Sequence, residues 1–171
     1  MRQTTSPFEK QILVSRRLVI RAYNLSDWHV WHRAMAARLP RKNKFDYGVP
    51  PAEMLTRQAY QYRVAAYRAA AQKNEAYNFG IFHRSSHEHL GNVSIYILQG
   101  DPMKWANIGY QIHNHKQGRG YAKEAARLAV DAGFELLGLH RLEAVMEKDH
   151  LASIAVAKAA GMVREGIRKK F

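Results

Sequence analysis

The stretch HKQGRGYAKEA, residues 115–125, places Gly118 and Gly120 one residue apart and then begins a helix-forming run. Without a Cβ the backbone can turn tightly there, so that successive amides point into one concavity. Two readings fit a lone Gly-x-Gly, an anion-binding turn and a glycine-rich start to a core helix. The neighbouring residues favour the first. Upstream, WANIGYQIH (105–113) alternates as a strand, with Ala106, Ile108, Tyr110 and Ile112 on one face. Downstream, Tyr121, Ala122, Ala125, Leu128, Ala129, Ala132 and Leu136 recur at helical spacing, and Gly138 stops the run. HRLEAVM (140–146) then reads as a second strand. A strand, helix, strand crossover implies parallel pairing, and in such a sheet a ligand binds beyond the carboxyl end of the strand that feeds the turn. The amides of residues 117–122, the positive end of the helix dipole, Arg119 and Lys116 suit a pyrophosphate.

Outward from this centre the chain is mixed. RLVIRAY (17–23) alternates as a strand, and Ser26 or Asp27 can cap a helix carrying Trp28, Trp31, Met35 and Leu39. Residues 50–72, opening on two prolines, read as a second helix. AYNFGIFHR (76–84) and LGNVSIYIL (90–98) form a hairpin around the polar SSHEH. DHLASIAVAKAAGM (149–162) is a short helix closed by Gly161, and MVREGI (162–167) begins a further strand. The fold class is therefore α/β with a mixed, mostly antiparallel sheet and flanking helices. Glu124 is expected to pair with Arg127 or Lys123 on its own helix.

Composition narrows the function. A chain of 171 residues suits one globular domain. The absence of cysteine excludes disulfides, thiolate zinc sites and thiol nucleophiles. No stretch approaches the roughly twenty apolar residues of a membrane span, so a cytoplasmic location without membrane partners is expected. The net charge of +13, from 27 Lys and Arg against 14 Asp and Glu, attracts phosphate-rich partners. It comes without a recognised nucleic-acid-reading motif, so ribosome or RNA proximity is a secondary expectation. His83, His87 and His89 lack carboxylate or cysteine spacing, and no metal site is assigned.

On NIGYQI, QGRGYAKEAARLAVDAGFELLGLHRLEAV, DHLASIAVAKAAGM and REGIR, about residues 16–168 resemble the GNAT superfamily of N-acetyltransferases, and within it the ribosomal-protein-alanine N-acetyltransferase group. The resemblance implies a central splay between the two parallel strands that receives acetyl-CoA. It also implies a single domain whose final strand pair is missing from this chain. The pyrophosphate would lie on Gln117, Gly118, Arg119, Gly120, Tyr121 and Ala122, with the pantetheine arm along Tyr110, Gln111, Ile112 and His113. An amide near Ile112 would polarise the thioester, His150 stands where the family has asparagine, and Lys158 is a further cofactor contact. Ser153 would protonate the leaving thiolate, or else serve as a helix-start hydroxyl. Asn107 replaces the usual carboxylate base, and Glu143 is either an alternative base or structural. The implied acceptor is a primary amine, a protein N-terminus first. A small-molecule amine, or a non-catalytic acyl-CoA-binding or RNA-associated module, is the alternative, and either a monomer or a homodimer is compatible.

Overall fold

The computed structural model describes residues 11–168. Six strands run β1 (Leu13–Val14), β2 (Leu18–Ala22), β3 (Ala76–His83), β4 (His89–Gln99), β5 (Trp105–Ile112) and β6 (Arg141–Glu143), and the sheet follows that same order in space. All neighbours are antiparallel except β5 and β6, which are parallel. Among the described residues four α-helices flank the sheet: α1 (Trp28–Ala36), α2 (Arg57–Gln72), α3 (Tyr121–Glu135) and α4 (Leu151–Ala159). This is the expected mixed α/β architecture, with α3 as the crossover that makes the last pairing parallel.

The main core packs α3 and α4 on the sheet through Leu18, Ile20, Ile81, Ile95, Ala125 and Ala129, with Val156 at its edge. Strand alternation sends Tyr23 to the other side of β2. There it joins Trp31, Tyr60, Val64 and Phe82 in a second cluster that seats α1 and α2. Alanines at the buried positions of α3 let its backbone lie close to β4 and β5.

Several boundaries differ from expectation. Leu39 lies beyond the end of α1, and Asp27 secures the start by accepting from the Asn24 amide at 2.8 Å and from both terminal nitrogens of Arg21 at 2.7 Å. The helix placed at 50–72 begins at Arg57, because Thr56 caps it through the Ala59 amide. Leu136 is outside α3 and exposed. Residues 144–146 leave the sheet after β6, and 162–168 form no strand. A strand needs a neighbour's amides and carbonyls. Segment 162–168 is instead tied to β6 by side-chain ion pairs, Arg141 with Glu165 and Glu143 with Arg168. The expected missing strand pair, placed after residue 171, lies outside the described residues.

Candidate active site

The early end of β6 builds the site. Only Trp105 to Asn107 pair with β6; from Ile108 to Ile112 β5 keeps β4 alone as its partner. The gap is a cleft of about 200 Å³ lined by Ile108, Gly109 and Tyr110 on one bank and by Ala144, Val145, Met146 and Glu147 on the other. His150, Ser153 and Phe45 complete the lining.

Backbone alternation determines what β5 offers this cleft. The His113 amide donates to the Leu90 carbonyl at 2.9 Å, toward β4. The amides of Ile112 and Tyr110 therefore face the opposite side, where β6 has ended. At the far end of the strand, Gln117 Nε2 donates to the Ile112 carbonyl at 3.2 Å and ties the start of the turn to the end of β5.

Gly118 and Gly120 both adopt left-handed backbone, φ +77° and +78°. Left-handed residues on either side of Arg119 are the kind of backbone that gathers successive amides into one concavity, and α3 begins after Gly120 with no side-chain cap. A Cβ at Gly118 would meet no atom within 4 Å. Open turn, uncapped helix start and edge amides together fit a pyrophosphate joined to an extended arm, the shape of a CoA thioester.

Arg17, which sequence reasoning missed, holds this turn in place. Its guanidinium donates to the Arg119 carbonyl at 3.0 Å, pairs with Glu124 at 2.7 Å and lies 4.8 Å over the Tyr121 ring. Ser15 Oγ donates to the other Glu124 oxygen at 2.6 Å. Glu124 thus pairs with the segment that precedes β2 rather than with Arg127 or Lys123, and Arg127 pairs with Asp131. Ser15 and Arg17 hold the Glu124 carboxyl below its ordinary value even though its burial opposes this. Lys116, expected at the phosphate rim, is drawn to Glu88 at 2.9 Å.

The other expected residues divide. Ser153 lies in the first turn of α4, but it does not cap: its hydroxyl donates to Tyr110 Oη at 3.2 Å, while Tyr110 Oη donates to the Ser153 carbonyl at 2.8 Å. Burial raises the Tyr110 phenol above its usual range. His150 lines the cleft, stacked on Phe45 at 4.0 Å, and burial lowers its pKa. Lys158 is exposed in the last turn of α4 and does not line the cleft. The His113 side chain turns away from the cleft into the core: Nε2 meets His89 Nδ1 at 2.9 Å, His89 Nε2 meets Tyr23 Oη at 3.0 Å, and Arg38 Nε donates to His113 Nδ1 at 3.0 Å. Burial holds both imidazoles neutral, well below the usual histidine range. His115 stacks parallel to His113 at 5.8 Å. Glu143, opposite Asn107 in register, is clamped by Arg141 and Arg168. Among the described residues no group of three or more His, Cys, Asp or Glu side chains is placed to hold a metal.

The fold and site define a mixed α/β protein whose one parallel strand pair splays apart, with edge amides facing the gap and a glycine turn following the strand. A family model described as "Acetyltransferase (GNAT) domain" matches residues 17–163, and the chain belongs to that family. It is 38% identical over 108 residues to "Probable N-acetyltransferase YjcK" of Bacillus subtilis, a match spanning 63% of this chain and 60% of that protein. It is 28% identical over 161 residues to "Uncharacterized N-acetyltransferase YnaD" of the same organism, covering 92% and 86%. A solved structure described as "a putative ribosomal-protein-serine acetyltransferase from Vibrio cholerae" superposes with a TM-score of 0.75 at 27% identity, covering 95% of this chain and 90% of that one.

Proposed function

We propose that this protein is an acetyl-CoA-dependent N-acetyltransferase whose acceptor is a protein N-terminal amine, such as that of a ribosomal protein, acting in the cytoplasm as a single domain. The carrying observation is that the Tyr110 and Ile112 amides face the side of β5 that β6 has left, on the strand that leads into the left-handed Gly118–Gly120 turn. When bound, acetyl-CoA supplies the acetyl group as a thioester. The amides of residues 117–122 would hold its pyrophosphate, and the free edge of β5 its pantetheine arm. The Ile112 amide would be the donor to the thioester oxygen, a fixed dipole of the kind that supplies much of such a rate enhancement. Ser153, joined to Tyr110, would give its proton to the departing sulfur and recover one, relayed through water, from the amine nitrogen as the amide forms. The amine attacks directly, and no covalent enzyme intermediate is needed.

The protein-acceptor reading is supported by the description of the Vibrio cholerae structure. It is also supported by the net charge of +13, which repels a polycationic acceptor such as a polyamine.

Calorimetry on Gly118→Asp tests the cofactor side. The space around Gly118 accepts the side chain at the modest cost of a left-handed residue, about 1–2 kcal/mol. The variant is expected to fold and to lose CoA binding through carboxylate–phosphate repulsion. Binding as tight as the parent's would refute the phosphate assignment. Mass spectrometry of amine acceptors tests the other side: CoA binding without acetylation of any amine would indicate a non-catalytic binder.

A further inference from the structure

Residues 38–49 cross the cleft and are held very differently at their two ends. At the β5 end Asn114 is buried, and its amide is fully used on this segment. Oδ1 accepts from the Leu39 amide at 2.8 Å, while Nδ2 donates to the Leu39 carbonyl at 2.7 Å and to Asp46 at 3.0 Å. Asp46 also accepts from the Lys42 and Gly48 amides. Arg38 adds its bond to the buried His113. On the opposite bank Lys44 reaches Glu147 at 2.7 Å and Asp149 at 2.8 Å, and Phe45 lies flat on His150. The three ionic side chains there are 54%, 64% and 55% exposed. An ion pair that open to water is weak and screened by salt, whereas a buried, satisfied amide is costly to break.

We infer that residues 38–49 form a strap, anchored at Asn114 and latched by Lys44 and Phe45, that must lift from Glu147 and His150 to admit the acceptor. The inference rests on the acceptor reading of the cleft given above and adds to it the route by which an amine enters. An incoming ammonium competes with Lys44 for Glu147, the carboxylate that lines the cleft. It thereby has the differential affinity for the lifted state that any ligand-driven opening requires. Among the described residues no hydrogen bond or ion pair joins the Gly118–Gly120 turn to residues 38–49, so the anchorage of the pyrophosphate, and with it CoA affinity, does not require the strap to lift.

The chain contains no cysteine, which permits a clean crosslink. Lys44→Cys with Asp149→Cys, joined by a short bis-maleimide with a reducible centre, fixes the latch shut. CoA affinity by calorimetry is expected within twofold of the parent, acceptor turnover at least tenfold lower, and turnover restored on reduction. Full turnover while crosslinked would overturn the inference, as would loss of CoA binding. If the parent acetylates no amine, the functional reading fails separately, and hydrogen exchange still judges the strap. In Lys44→Ala, amides 39–49 are expected to exchange at least fivefold faster with 112–122 unchanged. Equal exchange across 39–49 would overturn it.

Discussion

Ser153 illustrates how one hydroxyl separates two roles. As a helix-start residue it would satisfy a backbone amide, yet its observed partner is the Tyr110 phenol on the cleft wall. Removal of a general acid typically costs about a hundredfold or more in rate. Ser153→Ala is therefore expected to lower kcat by that order, with KM for acetyl-CoA little changed. Unchanged turnover per folded enzyme, with only a lower melting temperature, would return Ser153 to a structural role. The buried histidines give a second residue-scale expectation. His89 and His113 are held neutral when folded but take up protons near pH 6.5 when unfolded. The unfolded state then binds more protons, so stability is full above that pH and falls as pH drops below it, by up to about 1.4 kcal/mol per unit for each histidine. His115 and His150 are lowered in the same direction. Urea midpoints at pH 7.5 and 5.5 check this. A midpoint that does not move would contradict neutral burial, and His113→Gln is expected to reduce the slope.

Between elements, the decisive contacts join parts far apart in sequence. Arg17 precedes β2, yet its guanidinium buttresses a turn 102 residues later. Arg17→Met preserves much of the stem packing on Tyr121 while removing the bond to the Arg119 carbonyl and the Glu124 pair. Weakening of CoA binding by about five- to tenfold is expected, which corresponds to roughly 1–1.4 kcal/mol. Unaltered affinity would mean that the turn holds its shape alone. The crossover and the turn were legible in the sequence because their determinants are local: alternation in 105–112, two glycines and a helical alanine stripe. The partner of Glu124 was not, since helix spacing offered Arg127 and Lys123 but could not reveal that folding brings Ser15 and Arg17 closer. The length of β6 was hidden for a similar reason. HRLEAVM has strand character throughout, and only its divergence after Glu143 opens the cleft. The inward turn of the His113 side chain likewise depended on partners 24 and 75 residues away.

At the scale of the whole molecule, the question is which of the 27 basic residues behind the +13 charge are available to a partner. The basic run at 41–44 is largely engaged within the fold. Arg41 donates to the Asn43 and Lys44 carbonyls, and Lys44 holds the strap latch. Reversing its charges would disturb the cleft and confound any reading of ribosome attraction. Helix α2 is a cleaner test. Arg57 and Arg68, three turns apart, lie exposed on one stripe with no ion pair recorded among the described residues. Surface substitutions there should alter stability by no more than about 0.5 kcal/mol. If the acceptor is carried by an RNA-rich assembly, Arg57→Glu with Arg68→Glu should weaken co-sedimentation with ribosomes and flatten its dependence on salt. Acetylation of an assembled target should slow, while that of a short free peptide at matched ionic strength stays constant. An equal fall on the peptide would place α2 in acceptor recognition itself. Unchanged co-sedimentation and unchanged rates on both substrates would make this stripe a solubility feature and weaken the case for a ribosomal acceptor.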